Sequence, residues 1–91
     1  MTLLAGEHLD VLERVIVSPA TGVFRPSPPA VVTTEGEIVL EGQIVGVVET
    51  TAGSEPVASA FTGFFMGLMA LDGERVRADQ PVAWLRTGAA A

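Results

Sequence analysis

Two carboxylates, Glu49 and Glu55, flank a short run of hydroxyl-bearing and small residues, Thr50-Thr51-Ala52-Gly53-Ser54. Paired acids at such spacing are the material of general acid–base chemistry, and a hydroxyl between them is a candidate nucleophile. Each feature also has a plainer reading. Two exposed hairpin acids serve solubility alone, and no base stands nearby in sequence to activate Thr50, Thr51 or Ser54, whose hydroxyls suit the backbone groups of a turn. His8 is the single histidine and cysteine is absent. A His- or Cys-based metal cluster therefore cannot form within one chain, so no metal site is expected, and a Ser-His-Asp triad would rest on a residue of the N-terminal arm. Gly36, Gly42, Gly63 and Gly73 are too widely spread, with no helix after them, to form a phosphate loop; they read as turn glycines.

The elements that position these residues are short and β-like. The apolar run Ile44 to Val48 leads into Glu49, turns over Ala52-Gly53-Ser54 and returns through Val57 and Ala58, the pattern of a β-hairpin. Upstream, Val15-Ile16-Val17 ends at Ser18-Pro19, Thr21-Gly22 turns into Val23-Phe24, and Pro26-Ser27-Pro28-Pro29 makes a rigid loop. The second half repeats the first. Ser18-Pro-Ala-Thr-Gly-Val-Phe24 is echoed by Ser59-Ala-Phe-Thr-Gly-Phe-Phe65 at an offset of 41, and Gly36-Glu-Ile-Val-Leu-Glu-Gly-Gln43 by Gly73-Glu-Arg-Val-Arg-Ala-Asp-Gln80 at an offset of 37. The longer Pro-rich loop of the first copy accounts for the difference. Two copies of one strand-turn-strand unit, each covering the other's apolar face, imply an all-β flattened barrel or sandwich of two antiparallel sheets with pseudo-twofold symmetry.

Residues 1–14 read as an N-terminal arm. Leu4, Val11, Leu12 and Val15 share a helical spacing, which predicts a short helix over Glu7 to Arg14; Gly6 limits it to about two turns. Residues 15–86 form the domain and 87–91 a flexible tail.

One run departs from the half-buried strand pattern. Phe64-Phe65-Met66-Gly67-Leu68-Met69-Ala70-Leu71 contains no polar residue before Asp72. If Phe65, the echo of Phe24, points inward together with Leu68, then Phe64, Met66, Met69 and Leu71 face outward as a partner- or ligand-binding surface or a self-association surface. The other reading is that Leu3, Leu4 and Leu9 of the arm fold over this strand.

The hairpin resembles that of the biotinyl and lipoyl carrier domains, in which an apolar strand runs into a glutamate and the turn presents one lysine. In biotin carriers the residues are Glu-Ala-Met-Lys-Met and in lipoyl carriers Glu-Thr-Asp-Lys-Ala; here they are Glu49-Thr50-Thr51-Ala52-Gly53. Aligning Glu49 with the family glutamate brings Gly63 onto the biotinyl family's next glycine without a gap. Ser18-Pro19, Gly22 and Phe24-Arg25 are similar to the biotinyl branch, and the resemblance spans about Val15 to Leu85. It implies the flattened β fold, and it puts Ala52 in place of the acceptor lysine. All five basic residues are arginines. The hairpin tip Thr50, Thr51, Ala52 and Gly53 is thus expected to carry no cofactor.

A net charge of −6 over 91 residues argues against nucleic-acid and anionic-membrane surfaces. The longest uncharged run, Pro56 to Leu71, is 16 residues, short of a bilayer span of about 20 residues. The N-terminus lacks a signal-peptide pattern, so the sequence reads as cytoplasmic. The expected function is a non-biotinylated, carrier-like accessory module for a partner enzyme or an apolar ligand, with a possible homo-oligomer. The alternative is a small enzyme of cyclase or dehydratase type acting on an apolar biosynthetic intermediate.

Overall fold

A computed structural model describes residues 11–28 and 36–88. The chain makes eight strands: β1 (Val11–Val17), β2 (Gly22–Pro26), β3 (Ile38–Val39), β4 (Ile44–Thr50), β5 (Gly53–Ala58), β6 (Gly63–Leu68), β7 (Arg75–Val76) and β8 (Pro81–Gly88). They form two four-stranded antiparallel sheets, ordered β1-β8-β6-β3 and β5-β4-β2-β7. We call them the Trp84 sheet and the Glu49 sheet. The all-β architecture of two antiparallel sheets expected from the sequence is what is found.

The strand orders express the internal repeat. Replacing β1, β8, β6 and β3 by β5, β4, β2 and β7 converts one sheet into the other. The same local bonds recur at the repeat offsets. Ser18 Oγ donates to the Ala20 carbonyl and Ser59 Oγ to the Phe61 carbonyl, each at 2.6 Å, so two buried hydroxyls are satisfied within their own turns. Gln43 Oε1 accepts from the Leu40 N–H at 2.9 Å, and Gln80 Oε1 from the Arg77 N–H at 3.0 Å. The Phe24 N–H donates to the Glu74 carbonyl, and the Phe65 N–H to the Glu37 carbonyl.

The core follows the same rule. Phe24 and Phe65, Ile16 and Val57, Val39 and Val76, Val45 and Val82, and Val48 and Leu85 are all buried, each pair standing at equivalent positions of the two copies. Alternate residues of each strand supply these side chains because a strand's Cβ atoms alternate between faces. Burial of each contributes roughly 1.5–3 kcal/mol. Gly22 and Gly63 are equivalent as well. Neither is a turn glycine in the sense expected for Gly63: each lies in a strand with its missing Cβ aimed at a neighbouring carbonyl, that of Glu49 for Gly22 and that of Arg86 for Gly63.

Several expectations change. Val11 to Arg14 are not helical but begin β1, paired with Leu85 to Gly88 of β8. The apolar alternation of a strand and the spacing of a short helix overlap over so few residues, and pairing with β8 decides the outcome. The rest of the expected arm helix and Leu3, Leu4 and Leu9 lie outside the described residues. Thr87 and Gly88 belong to β8, so the ordered sheet reaches into the expected tail. The hairpin turns over Thr51 and Ala52, one residue earlier than expected, because Gly53 already pairs with Thr50.

Candidate functional site

At the hairpin tip, Thr50 Oγ donates to the Gly53 carbonyl at 2.8 Å and accepts from the Ala52 N–H at 3.1 Å. The hydroxyl is engaged in closing its own turn, as the plainer reading has it. Gly53 provides the left-handed backbone, with φ of 135°. Thr51 and Ala52 are exposed, and Ala52 ends in a methyl group.

Glu49 and Glu55 do not form a carboxylate pair. Glu49 stands across from Ser54, whereas Glu55 stands across from Val48, whose side chain is in the core. The two acids therefore start from opposite faces of the hairpin. Glu49 instead accepts from Arg25 Nε at 3.3 Å, and Arg25 Nη1 reaches Asp72 at 3.2 Å. These bonds, that to Asp72 first and then that to Glu49, hold the Arg25 guanidinium above its ordinary range, so it stays charged. This exposed network ties β2 to the ends of β4 and of the β6–β7 connection.

The outer faces of the two sheets differ sharply in chemistry. On the Glu49 sheet, Glu49, Val23 and Arg75 form one cross-strand row, with Arg25 and Val47 in another. On the Trp84 sheet, Glu13, Arg86, Phe64 and Ile38 form the row equivalent to the first, followed by Val15, Trp84 and Gly67. Trp84 thus occupies the place that Val47 has in the other copy. Val15, Trp84, Met69 and Glu13 line an open groove of about 390 Å³. Val15 is 42 %, Phe64 49 % and Met69 52 % exposed, and Trp84 is half-buried.

Polar groups frame this apolar strip. The Glu13 carboxylate lies 3.8 Å from Arg86 Nη2, and the Arg86 guanidinium lies 5.8 Å from the Trp84 ring centroid, within cation–π range. The indole N–H has no protein acceptor among the described residues. A Cβ on Gly67 would stand 3.6 Å from the indole Nε1, so the glycine leaves the space beside that donor open.

Of the four residues expected on the apolar run, Met69 lines the groove and Phe64 lies in the adjoining row on the same face. Met66 is half-buried and sits in a β-bulge, because Phe65 pairs with Leu85 while Gly67 pairs with Trp84. Leu71 is 75 % exposed but lies past the end of β6, on the connection to β7, where its N–H donates to Glu74 Oε1. Leu68 stands across from the buried Ala83, so the bulge, which inserts one residue after Phe65, gives it the inward parity expected. At the last position of β6 it is nevertheless 41 % exposed. Phe65 is buried, as its echo of Phe24 predicts.

Trp84 was missed. It is the single tryptophan in the chain and shares strand parity with the charged Arg86, so the sequence held a signal that it faces outward. No group of three His, Cys, Asp or Glu residues suited to a metal ion occurs among the described residues. No helix among them is long and apolar enough to cross a membrane.

No family model matches the chain, and no curated protein matches it. Among solved structures, the chain is similar to part of the crystal structure of the Kluyveromyces lactis urea carboxylase, with a TM-score of 0.68 and 22 % identity. The match covers 93 % of this chain and 7 % of that one, so this chain spans a small part of the enzyme's length. At this identity the likeness is one of fold.

Proposed function

We propose that this domain is a carrier-type module that is not acylated and that acts as an accessory or docking element for a partner enzyme, through the outer face of the Trp84 sheet. The observation that carries the reading is the contrast between two copies of one unit. Where the fold requires equivalence, in the core and the turns, the copies agree. On the outer faces they diverge, one bearing Glu49, Arg25 and Arg75 and the other Val15, Trp84, Phe64 and Met69. A half-buried indole beside exposed methionine and aromatic groups, rimmed by one ion pair, has the composition of a protein-docking hot spot.

The hairpin supports the same reading from the other side. Its resemblance to the biotinyl hairpin includes the glutamate and the spacing to Gly63, while the tip residue is Ala52 and the chain has no lysine. The fold likeness to part of a carboxylase chain fits a partner of that enzyme class. The alternative of a small acid–base enzyme loses its leading pair, because Glu49 and Glu55 face apart.

The test is a titration of the purified domain with biotin-dependent carboxylase subunits from the same cell, read by the emission of the single tryptophan, together with the Met69→Glu and Phe64→Glu variants. Saturable binding by the wild type that both variants lose while remaining folded supports the docking role. Equal binding by all three proteins removes this face from the account, and a covalent biotinyl or lipoyl group on the wild type removes the non-acylated reading.

A further inference from the structure

Among the described residues, only one of the four sheet edges is both long and free of proline. β3 and β7 have two residues each, too short to template another strand. β5 carries Pro56, which has no N–H to offer. β1 runs Val-Leu-Glu-Arg-Val-Ile-Val over seven residues, without proline, glycine or lysine. The one irregularity along its pairing falls on β8, where Val82 is the extra residue between Ala83 and Pro81, so β1 itself is unbroken. β5 of the facing sheet passes near it, but no backbone hydrogen bond joins the two, and the edge of β1 turned away from β8 has no backbone partner among the described residues.

We propose that β1 is a homodimerisation edge: it pairs antiparallel with β1 of a second copy across a twofold axis, extending the Trp84 sheet from four strands to eight. The occupant follows from the self-complementarity of the strand. Outward-pointing backbone groups and sheet faces both repeat every second residue, so a symmetric pairing that matches both must join residues of like parity. Three central registers remain. One places Glu13 opposite the second copy's Glu13, and the next places Arg14 opposite Arg14, each setting like charges against each other. The third places Val15 opposite Val15, Arg14 opposite Ile16 and Glu13 opposite Val17, with no like-charged pair. Val15 is also the groove residue that stands across from Trp84. This register therefore makes one continuous apolar strip running from Trp84 through the two Val15 side chains to the second Trp84. The dimer is independent of what the outer face binds.

The test uses light scattering of the whole chain over a concentration series, together with single-cysteine variants, which are unambiguous because the chain has no cysteine. The expected results are a mass twice that of one chain and disulfide-linked dimers from Val15→Cys at least tenfold faster than from Glu13→Cys or Arg14→Cys. Residues directly opposite bring their Cβ atoms to about 5 Å, whereas the two Glu13 positions are then about 13 Å apart along the strands. Val15→Lys sets two ammonium groups across the axis and should give a monomer with unchanged circular dichroism, while Phe64→Glu should remain dimeric. A wild-type chain that stays monomeric throughout the series overturns the proposal. So does preferential crosslinking through Glu13→Cys or Arg14→Cys, or a dimer that Phe64→Glu dissolves.

Discussion

Gly67 stands directly across from Trp84 in the β6–β8 ladder, and a Cβ placed on it would come to 3.6 Å from the indole Nε1. The contact is an ordinary van der Waals distance, so a small side chain fits without displacing backbone. Gly67→Val is therefore expected to fill the floor of the groove while the fold persists. Trp84 emission should shift to the blue, and partner binding should fall at least tenfold, with a thermal midpoint within a few degrees of the wild type. A red shift together with loss of cooperative unfolding would show instead that Gly67 is needed for the strand itself.

The equivalence of Phe24 and Phe65 gives a second prediction. Both are buried aromatic groups at the same position of the two units, and Phe→Ala in a packed core costs about 3–5 kcal/mol. Phe24→Ala and Phe65→Ala should lower the stability by similar amounts in denaturant titrations. A loss at one site but not the other would mean that the two halves do not share the core equally.

Gly22 and Gly63 each face a carbonyl of the adjacent strand, those of Glu49 and Arg86. Gly22→Ala and Gly63→Ala should each cost about 1–3 kcal/mol, the range of overpacking in a tight site. Gly22→Ala should be the worse of the two, since its added carbon meets the Glu49 carbonyl more closely. Equilibrium unfolding of both variants measures the difference, and an unchanged midpoint for Gly22→Ala would contradict the close approach.

Gly42 and Asp79 occupy equivalent turns with φ of 88° and 71°. Ala is strained there by roughly 1–2 kcal/mol, whereas Asp and Asn enter the left-handed region more readily. Gly42→Ala should destabilise the protein measurably, and Gly42→Asp should do so less, because the second copy already uses aspartate. Equal losses for the two variants would remove the link between the turns.

What could be read from the sequence was what the two copies share. The echo of Ser18 to Phe24 in Ser59 to Phe65 reports identical turn bonds, and the pairing of Gln43 with Gln80 reports identical side-chain caps. Both are local, so sequence carries them. That Gly67 and not Met66 stands across from Trp84 was not legible, because the bulge at Met66 is set by how β6 lies against β8. The same limit applies to Val11 to Arg14, whose spacing suits a helix until β8 is there to pair with them. Of the candidate site, Phe64 and Met69 were found from the missing polar residues. Trp84 and Val15, which complete the groove, come from strands at the opposite ends of the sequence and join them only through the sheet order.

The hairpin gives a further test. Ala52 is exposed at the tip and its side chain has no partner to lose. Ala52→Lys should fold as the wild type does and should gain a biotinyl group when biotin ligase is co-expressed, because it places an amine where the resemblance to the biotinyl hairpin puts the acceptor. The readout is intact mass, and labelling of the variant but not of the wild type is the expected result.

The central claim is that the outer face of the Trp84 sheet, and not the hairpin tip, does the binding. Amide chemical-shift mapping of the labelled domain during titration with a biotin-dependent carboxylase subunit tests this most directly. The account predicts shifts concentrated at Glu13, Val15, Phe64, Gly67, Met69 and Trp84, with Thr50 to Gly53 unmoved. Shifts confined to Thr50 to Gly53, with the Trp84 face silent at saturation, would contradict it.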